Sequence, residues 1–390
     1  MRYLTEKLKT PVRYECDVFV AGGGIAGVAA ALAAARQGKR VILADRGFLL
    51  GGIATAGLVA IYLPIADGYG KQASTGLAEE LLRVNLAHGA VDRFPKQWEL
   101  GGMTKEDYAR NHHVSIEYNP QVFAILLEEL LLKEKVQILY GTTVCAVDAA
   151  DERIHAVMVE NKSGRSATAV QAVVDATGDA DLFAMAGAET RLSSEPNTLA
   201  AWYYYQQGQD CVKLKIHGAA DAKEESTELV PETFGGVDAE EISHMVTLAH
   251  KAVLQDVEQR GKDGDIQLTN IATIPQLRMT RQIVGAVEMS EAEGAGCEDS
   301  IGLVASWRKR GEIYHIPFRA LYGKEYANLL TAGRSLSANP KMWDLCRVIP
   351  GCATTGEAAG IAAAMGVDVR TMDVRQLQKR LMDQGVQCWL

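Results

Sequence analysis

Gly22, Gly24 and Gly27 stand in the spacing GxGxxG inside "VFVAGGGIAGVAAALAAARQG", Val18 to Gly38, and an acid, Asp45, comes 18 residues after the last of them. Glycines carry no reactive atom, so any chemistry here is that of a cradle. The first glycine of such a set permits a tight turn, the second lets a pyrophosphate approach the backbone, and the third lets a helix pack closely on a strand. A helix starting there offers its leading amides and positive end to phosphate. An acid at the end of the next strand accepts from a ribose diol. Ala26 lies within this cradle and is counted with it. The competing reading is a structural glycine turn. Placement between a strand and a helix, with the acid at the proper distance, favours a dinucleotide.

Other stretches decide which dinucleotide. "RGFLLGG" puts Gly51 and Gly52 shortly after the acid. A plain NAD site has no use for this pair, whereas an FAD site uses such a loop to pass the long cofactor toward its flavin. "VVDATGDADL", Val173 to Leu182, is an apolar strand running into Ala-Thr-Gly-Asp. Alone, it reads equally well as a strand end with two solvated carboxylates. "NLLTAGR" closes another apolar strand on Ala332, Gly333 and Arg334. "RVIPGCATTGEAAGIAAAMG", Arg347 to Gly366, then reads as a loop breaking into an alanine- and glycine-rich helix. Its glycines lack the GxGxxG spacing and no ribose acid follows, so it is expected at the far end of one cofactor rather than at a second nucleotide.

These stretches, with "RMTRQIVGA" and "YHIPFRALYGKEYANLLTAGR", resemble the FAD-dependent oxidoreductases of the glutathione-reductase-like FAD-binding fold, distant relatives of the fumarate reductase flavoproteins. They run in family order over nearly the whole chain. The resemblance implies non-covalent FAD, with its pyrophosphate on Gly22, Gly24 and Gly27. Asp45 takes the place of the family's usual glutamate on the adenosine ribose, one methylene shorter. Arg46 and Gly52 would flank the cofactor, and Val144 would touch the adenine through its backbone. Thr177 and Gly178 fall on the adenosine side, and Gly333 near the ribityl–phosphate portion. A helix beginning near Thr355 and Gly356 would aim its positive end at the flavin pyrimidine, stabilising negative charge at N1–C2=O on reduction. A helix merely packed by small residues is the alternative, and both can hold.

On the substrate side, Arg347 leads into the flavin-facing loop, where its fork suits a carboxylate. A salt bridge to Asp344 is the bland alternative. His315 lies with Tyr314 and Arg319 on "YHIPFR", a strand expected to run toward the site, and is a candidate acid or base. A lone histidine is more often structural. Arg278 and Arg281, three apart on an expected helix over Gln276 to Glu293, bind substrate or bridge domains. Arg347, His315 and Arg278 are the catalytic candidates. The aromatics of "AWYYYQQGQ" read as core. His112 and His113 have no companion at metal spacing, so no metal is expected. Seven cysteines form no CxxC pair; they read as reduced thiols, Cys346 and Cys352 included.

Elements of the right kind surround these residues. "DVFVA" is a buried strand, "VAAALAAARQG" a helix stopped at Gly38, and "RVILAD" the next strand. "PQVFAILLEELLLKE" has helical periodicity, "VQILYGTTVCAVDA" supplies strands, and "RIHAVMVENKSGRSATAVQAVVDATG" reads as a hairpin turning at Ser163–Gly164. A further helix is expected over Ala239 to Arg260, and "GAADAKEESTE" is rich in charge. The expected class is α/β: a Rossmann-like FAD-binding domain with a central parallel sheet and a β-hairpin or meander layer, plus an inserted α+β substrate or cap domain. The FAD domain is expected to be discontinuous, 1–190 and 325–390, around an insert at 191–324.

Composition bounds the partners. Of 390 residues, 40 are Lys or Arg and 49 Asp or Glu, a formal charge of −9. Such a chain has no bulk attraction to nucleic acid or anionic membrane. Val18 to Ala35 is an uncharged run of membrane-spanning length, but three glycines interrupt it after four residues, which favours strand–turn–helix over a span. No export signal is visible, so a cytoplasmic protein is expected; a homo-oligomer is compatible with all of this. The expected reaction transfers a hydride between a small organic, anionic substrate and flavin N5. No second GxGxxG suggests an NAD(P)H domain, so oxygen, a quinone or a separate carrier would reoxidise the flavin. The alternative is a flavin-dependent hydratase or isomerase with no net redox change.

Overall fold

The computed structural model describes residues 4–90, 116–218, 228–262 and 264–390. "GAADAKEESTE" and the His112–His113 pair lie largely or wholly outside them. The central sheet holds β1 (Val12–Ala21), β2 (Val41–Ala44), β3 (Gln137–Leu139), β4 (Thr143–Ala150), β5 (Arg153–Asn161), β6 (Gly164–Asp175) and β7 (Leu329–Thr331). Their order is β3-β2-β1-β6-β5-β4, with β7 also beside β6. The pairs β3–β2, β2–β1, β1–β6 and β6–β7 are parallel, and β4–β5–β6 is an antiparallel meander.

Burial on both faces explains the uninterrupted apolar strand sequences. Val18 and Val20 of β1 enter the core on one face, while Phe19 and Ala21 enter the core on the other. Strand β6 is long because it serves two layers. Its first half pairs with β5, and Val173 to Asp175 pair with Leu329 to Thr331 of β7. Asn328 fills the junction, its amide donating to the carbonyls of Ile154 and Gln171 and accepting from the Ile154 N–H.

Among the described residues, six helices have eight residues or more: α1 (Ile25–Arg36), α2 (Leu77–Asn85), α3 (Pro120–Lys133), α4 (Ala239–Gly261), α5 (Ile349–Met365) and α6 (Val374–Asp383). Helix α5 begins at Ile349, not near Thr355. Pro350 sits in its first turn, where a missing N–H costs nothing. The expected helix over Gln276 to Glu293 is a correction as well. The segment is irregular over 276–280, forms a short strand at Arg281–Ile283 paired with Thr190–Leu192, and is helical only at Glu291–Ala295. The Asn197 side chain explains this: it accepts from the N–H groups of Arg278 and Met279 and donates to the Met279 carbonyl. It thereby takes backbone groups that a helix would need.

Helices α1 and α5 lie against each other at backbone contact. A Cβ on Gly356 would come within 2.2 Å of the Ala26 carbonyl oxygen, and one on Gly360 within 2.2 Å of that of Ala30. Between these glycines α5 carries Glu357, 1% exposed, whose carboxylate accepts from the Leu77 N–H at the start of α2 at 2.8 Å. Burial pushes this carboxyl up to about 8 from an ordinary 4.5, against the Leu77 hydrogen bond.

A folded-state value above the unfolded one means that the native protein holds the proton more tightly. The stabilisation is therefore complete below pH 4.5 and is lost as pH rises through about 8. Glu357→Gln keeps the acceptor for Leu77 and removes the ionisation. Denaturant titrations across that window should show the variant gaining on the wild type as pH rises, by on the order of a few kcal/mol. Parallel stability curves would contradict the assignment.

Candidate functional site

The ends of the parallel strands converge on one cavity of about 720 Å³. The residues next after β1, β2, β6 and β7 are Gly22, Asp45, Ala176 and Ala332, and all four line it. A crevice beyond the carboxyl ends of parallel strands is where α/β sheets bind ligands. Each motif glycine has its own physical reason. Gly22 has φ +99°, and a Cβ there would meet the Ala176 carbonyl oxygen at 2.4 Å. A Cβ on Gly27 would lie 1.8 Å from the Gly22 carbonyl oxygen. At Gly24 a Cβ would meet nothing within 4 Å, because that face opens on the cavity. That is the fit expected of a backbone cradle approached by a pyrophosphate.

Asp45 ties this turn to the next loop. Its carboxylate accepts from the N–H of Gly23 and from that of Gly47, each at 2.6 Å. Each oxygen keeps a lone pair for a further donor, and the side chain lies on the cavity wall with Arg46. Gly51 donates to the Gly23 carbonyl at 2.7 Å, bringing the second glycine pair against the first; Gly52 lines the cavity beside it.

On the β6 side, Asp175 is buried and accepts from Thr177, Leu182 and Phe183, which sets the Ala-Thr-Gly-Asp turn. Burial lifts its carboxyl to about 6. Thr177 and Gly178 then line the cavity, with Asp179 bonded to Arg334 at 2.8 Å and to the Thr280 hydroxyl at 2.6 Å. Burial raises the Asp179 carboxyl, but Arg334 beside it and the Thr280 hydroxyl outweigh this and hold it below the usual range. Arg334 carries no local signal in the sequence, because its pairing with Asp179 depends on two loops meeting.

Helices α1 and α5 complete the wall. Ala26 of α1 and Val348, Ile349 and Cys352 at the start of α5 all line the cavity. Asn119, Asp238 and Asp373 cap α3, α4 and α6 through their side chains, and Glu357 serves α2. Helices α1 and α5 start at Gly24 and Val348 with no side-chain cap. Both uncapped N-termini therefore open on the same cavity. Thr355 and Gly356 are not among the lining residues. Thr355 bonds the Gly333 N–H at 3.0 Å, fixing the loop that lines the cavity, and Gly356 packs on α1. Val144 is also off the cavity, paired with Val159 in the meander.

Among the substrate-side candidates, Arg278 and Arg347 line the cavity and His315 does not. Arg278 is buried and stands 5.6 Å over the Trp202 ring. Arg347 forms the anticipated ion pair with Asp344 at 2.5 Å, and Asp344 also holds Arg308 at 2.5 Å. Burial would raise the Asp344 carboxyl, but the two guanidinium groups hold it low. Arg347 is thus both paired and on the wall. His315 is buried beside the Ser300 hydroxyl, its Nδ1 at 3.2 Å, and burial lowers its pKa. Arg281 is directed to Asp179 and Asp181, and Arg319 to Asp299. All seven cysteines are free thiols; burial pushes Cys352 up to about 11 and Cys346 higher. Among the described residues no cluster could hold a metal ion, and no helix is long and apolar enough to cross a membrane.

The family described as FAD dependent oxidoreductase matches residues 17–233 and 239–381. No curated protein matches the chain in sequence. Among solved structures, the chain is similar to a geranylgeranyl bacteriochlorophyll reductase-like protein from Thermoplasma acidophilum. The identity is 10% and the TM-score 0.49, covering 95% of this chain and 82% of that one. It is also similar to a 3-ketosteroid-Δ4-(5α)-dehydrogenase from Rhodococcus jostii, at 14% identity and TM-score 0.43, covering 91% and 98%.

Gly24→Val inserts a side chain where the protein has none to displace. Flavin titration should show FAD affinity falling by tenfold or more, while thermal stability without FAD stays within a few degrees of the wild type. Unchanged affinity would separate Gly24 from the cofactor.

Proposed function

From the premise that the chain belongs to the FAD-dependent oxidoreductase family, with FAD as its cofactor, we propose that it exchanges a hydride with a small anionic organic molecule. The single observation that carries the reading is the pair of uncapped helix N-termini on one cavity. Gly22, Gly24 and Ala26 hold the pyrophosphate, which takes the amides and positive end of α1, and Gly27 lets that helix pack closely enough on the Gly22 turn to present them. Asp45, Arg46 and Gly52 hold the adenosine side, with Thr177 and Gly178 opposite. Gly333, fixed by Thr355, supports the linker. The start of α5 stabilises negative charge that develops across the cavity from the phosphates. When bound, FAD supplies the hydride-exchanging N5.

The protein's share is to bind, orient and exclude water. Arg278 is the residue we assign to the anionic group of the substrate, because it brings a buried positive charge to the wall of the cavity that the glycine cradle also lines. Arg347 stands at the mouth of α5, held by Asp344, and positions the same group. Val144 and Gly356 act through packing in this reading, and His315 takes no part. Residues 191–324 form the substrate side, and reoxidation falls to oxygen, a quinone or a separate carrier.

Anaerobic titration of the FAD-loaded protein with candidate organic acids tests this: a substrate should bleach the flavin stoichiometrically. Conversion without bleaching would assign non-redox chemistry instead. Arg278→Met should raise the KM for that substrate by about ten- to a hundredfold, the scale of one lost charged hydrogen bond, with FAD affinity unchanged. An unaltered KM would remove Arg278 from the site.

A further inference from the structure

A second cavity, about 270 Å³, adjoins the first, and Thr273, Ile274 and Pro275 line both. Helix α4 runs beneath the two. Its Ile242 faces the larger cavity, and Met245, Val246, Ala249 and Val253 face the smaller one. These residues recur at three- and four-residue spacing, which places them on one helical face. The smaller chamber is thus an apolar extension of the site along a single continuous floor. A cavity of about 150 Å³ lined by apolar side chains takes up benzene, so this chamber has room for a ring and a short chain.

Trp202, His250, Thr273 and Gln276 interrupt its apolar lining, and two of them hold polar atoms without a partner among the described residues. The indole Nε1 of Trp202 is a donor with no acceptor among the described residues, and Oε1 of Gln276 an acceptor with no donor. Both side chains are more than nine-tenths buried. The Gln276 amide is fixed in this sense because its Nε2 donates to the Gly57 carbonyl at 2.5 Å. Buried polar groups of this kind carry a cost unless a partner satisfies them. Trp202 also links the chamber to the anion site, since its ring lies beneath Arg278.

We propose that this chamber receives the apolar body of an amphipathic carboxylate, whose far end carries a hydroxyl or similar group that satisfies Trp202 and Gln276. The assignment rests on the anion-binding reading of Arg278 given above and narrows it. The substrate is then a long acid, charged at the flavin end and apolar behind it.

Calorimetric titration of the FAD-loaded protein with n-alkyl carboxylates from propionate to decanoate, and with their ω-hydroxy counterparts, tests this. Affinity should rise about fourfold per methylene until the chamber is full, then level off. Ala249→Trp, which fills the chamber, should flatten that rise while FAD content stays the same. Trp202→Phe keeps the ring under Arg278, so it should preserve the rise and abolish any preference for the ω-hydroxy acids. A wild type indifferent to chain length, or an Ala249→Trp protein with the same rise, would overturn the chamber assignment; so would a hydroxyl preference that survives in Trp202→Phe. Failure to retain FAD would instead count against the functional reading, and the same series on the FAD-free protein would still report on the chamber.

Discussion

The contact between α1 and α5 is the constraint on which the rest of the molecule depends. Gly356 and Gly360 let one helix backbone lie on the other at Ala26 and Ala30, at a spacing that a single methyl group on either glycine would prevent. Forcing atoms into such a contact costs ~1–3 kcal/mol and a backbone shift. Because the helices cross so closely, their N-termini end near each other and at the ends of β1, β6 and β7. Two segments more than three hundred residues apart in sequence thereby form one wall. The glycine motif is thus only half of the cradle.

Charge is distributed to suit that wall. Elsewhere the protein satisfies helix starts with its own side chains, Asn119, Asp238 and Asp373, or with a carboxylate from a neighbour, Glu357. At α1 and α5 it does not, and an anionic ligand can take the place of a cap. Ion pairs stand on the wall itself: Asp179 holds Arg334, and Asp344, behind it, holds Arg308 and Arg347. These pairs fix loop geometry in a region built from four strand ends and two helix ends.

Local pattern made the first half of the site legible in sequence. The turn glycines, Asp45 and the strand–helix alternation carry their signal within about thirty residues, so the β1–α1–β2 unit could be read directly. The sequence suggests a later start for α5 because Pro350 and Gly351 look like loop residues; Pro350 is instead a first-turn proline. The 276–293 segment has enough apolar residues for a helix, but long-range partners, the Asn197 side chain at Arg278 and Met279 and the strand Thr190–Leu192 at Arg281–Ile283, take its backbone groups instead. The Thr355 hydroxyl accepts from the Gly333 N–H and so holds that loop, a contact with no local signal in sequence. Arg334 gave no signal beyond its position after a glycine. Each of these depends on contacts made across the sheet, which periodicity does not record.

The central claim is that one FAD molecule engages both uncapped helix starts. Hydrogen exchange measured by mass spectrometry, on the FAD-free protein and after FAD is added, tests it most directly. The account predicts that FAD slows exchange in two separate peptides, one covering residues 22–28 and one covering 347–353. Protection confined to the first peptide, with the start of α5 unchanged, would contradict it.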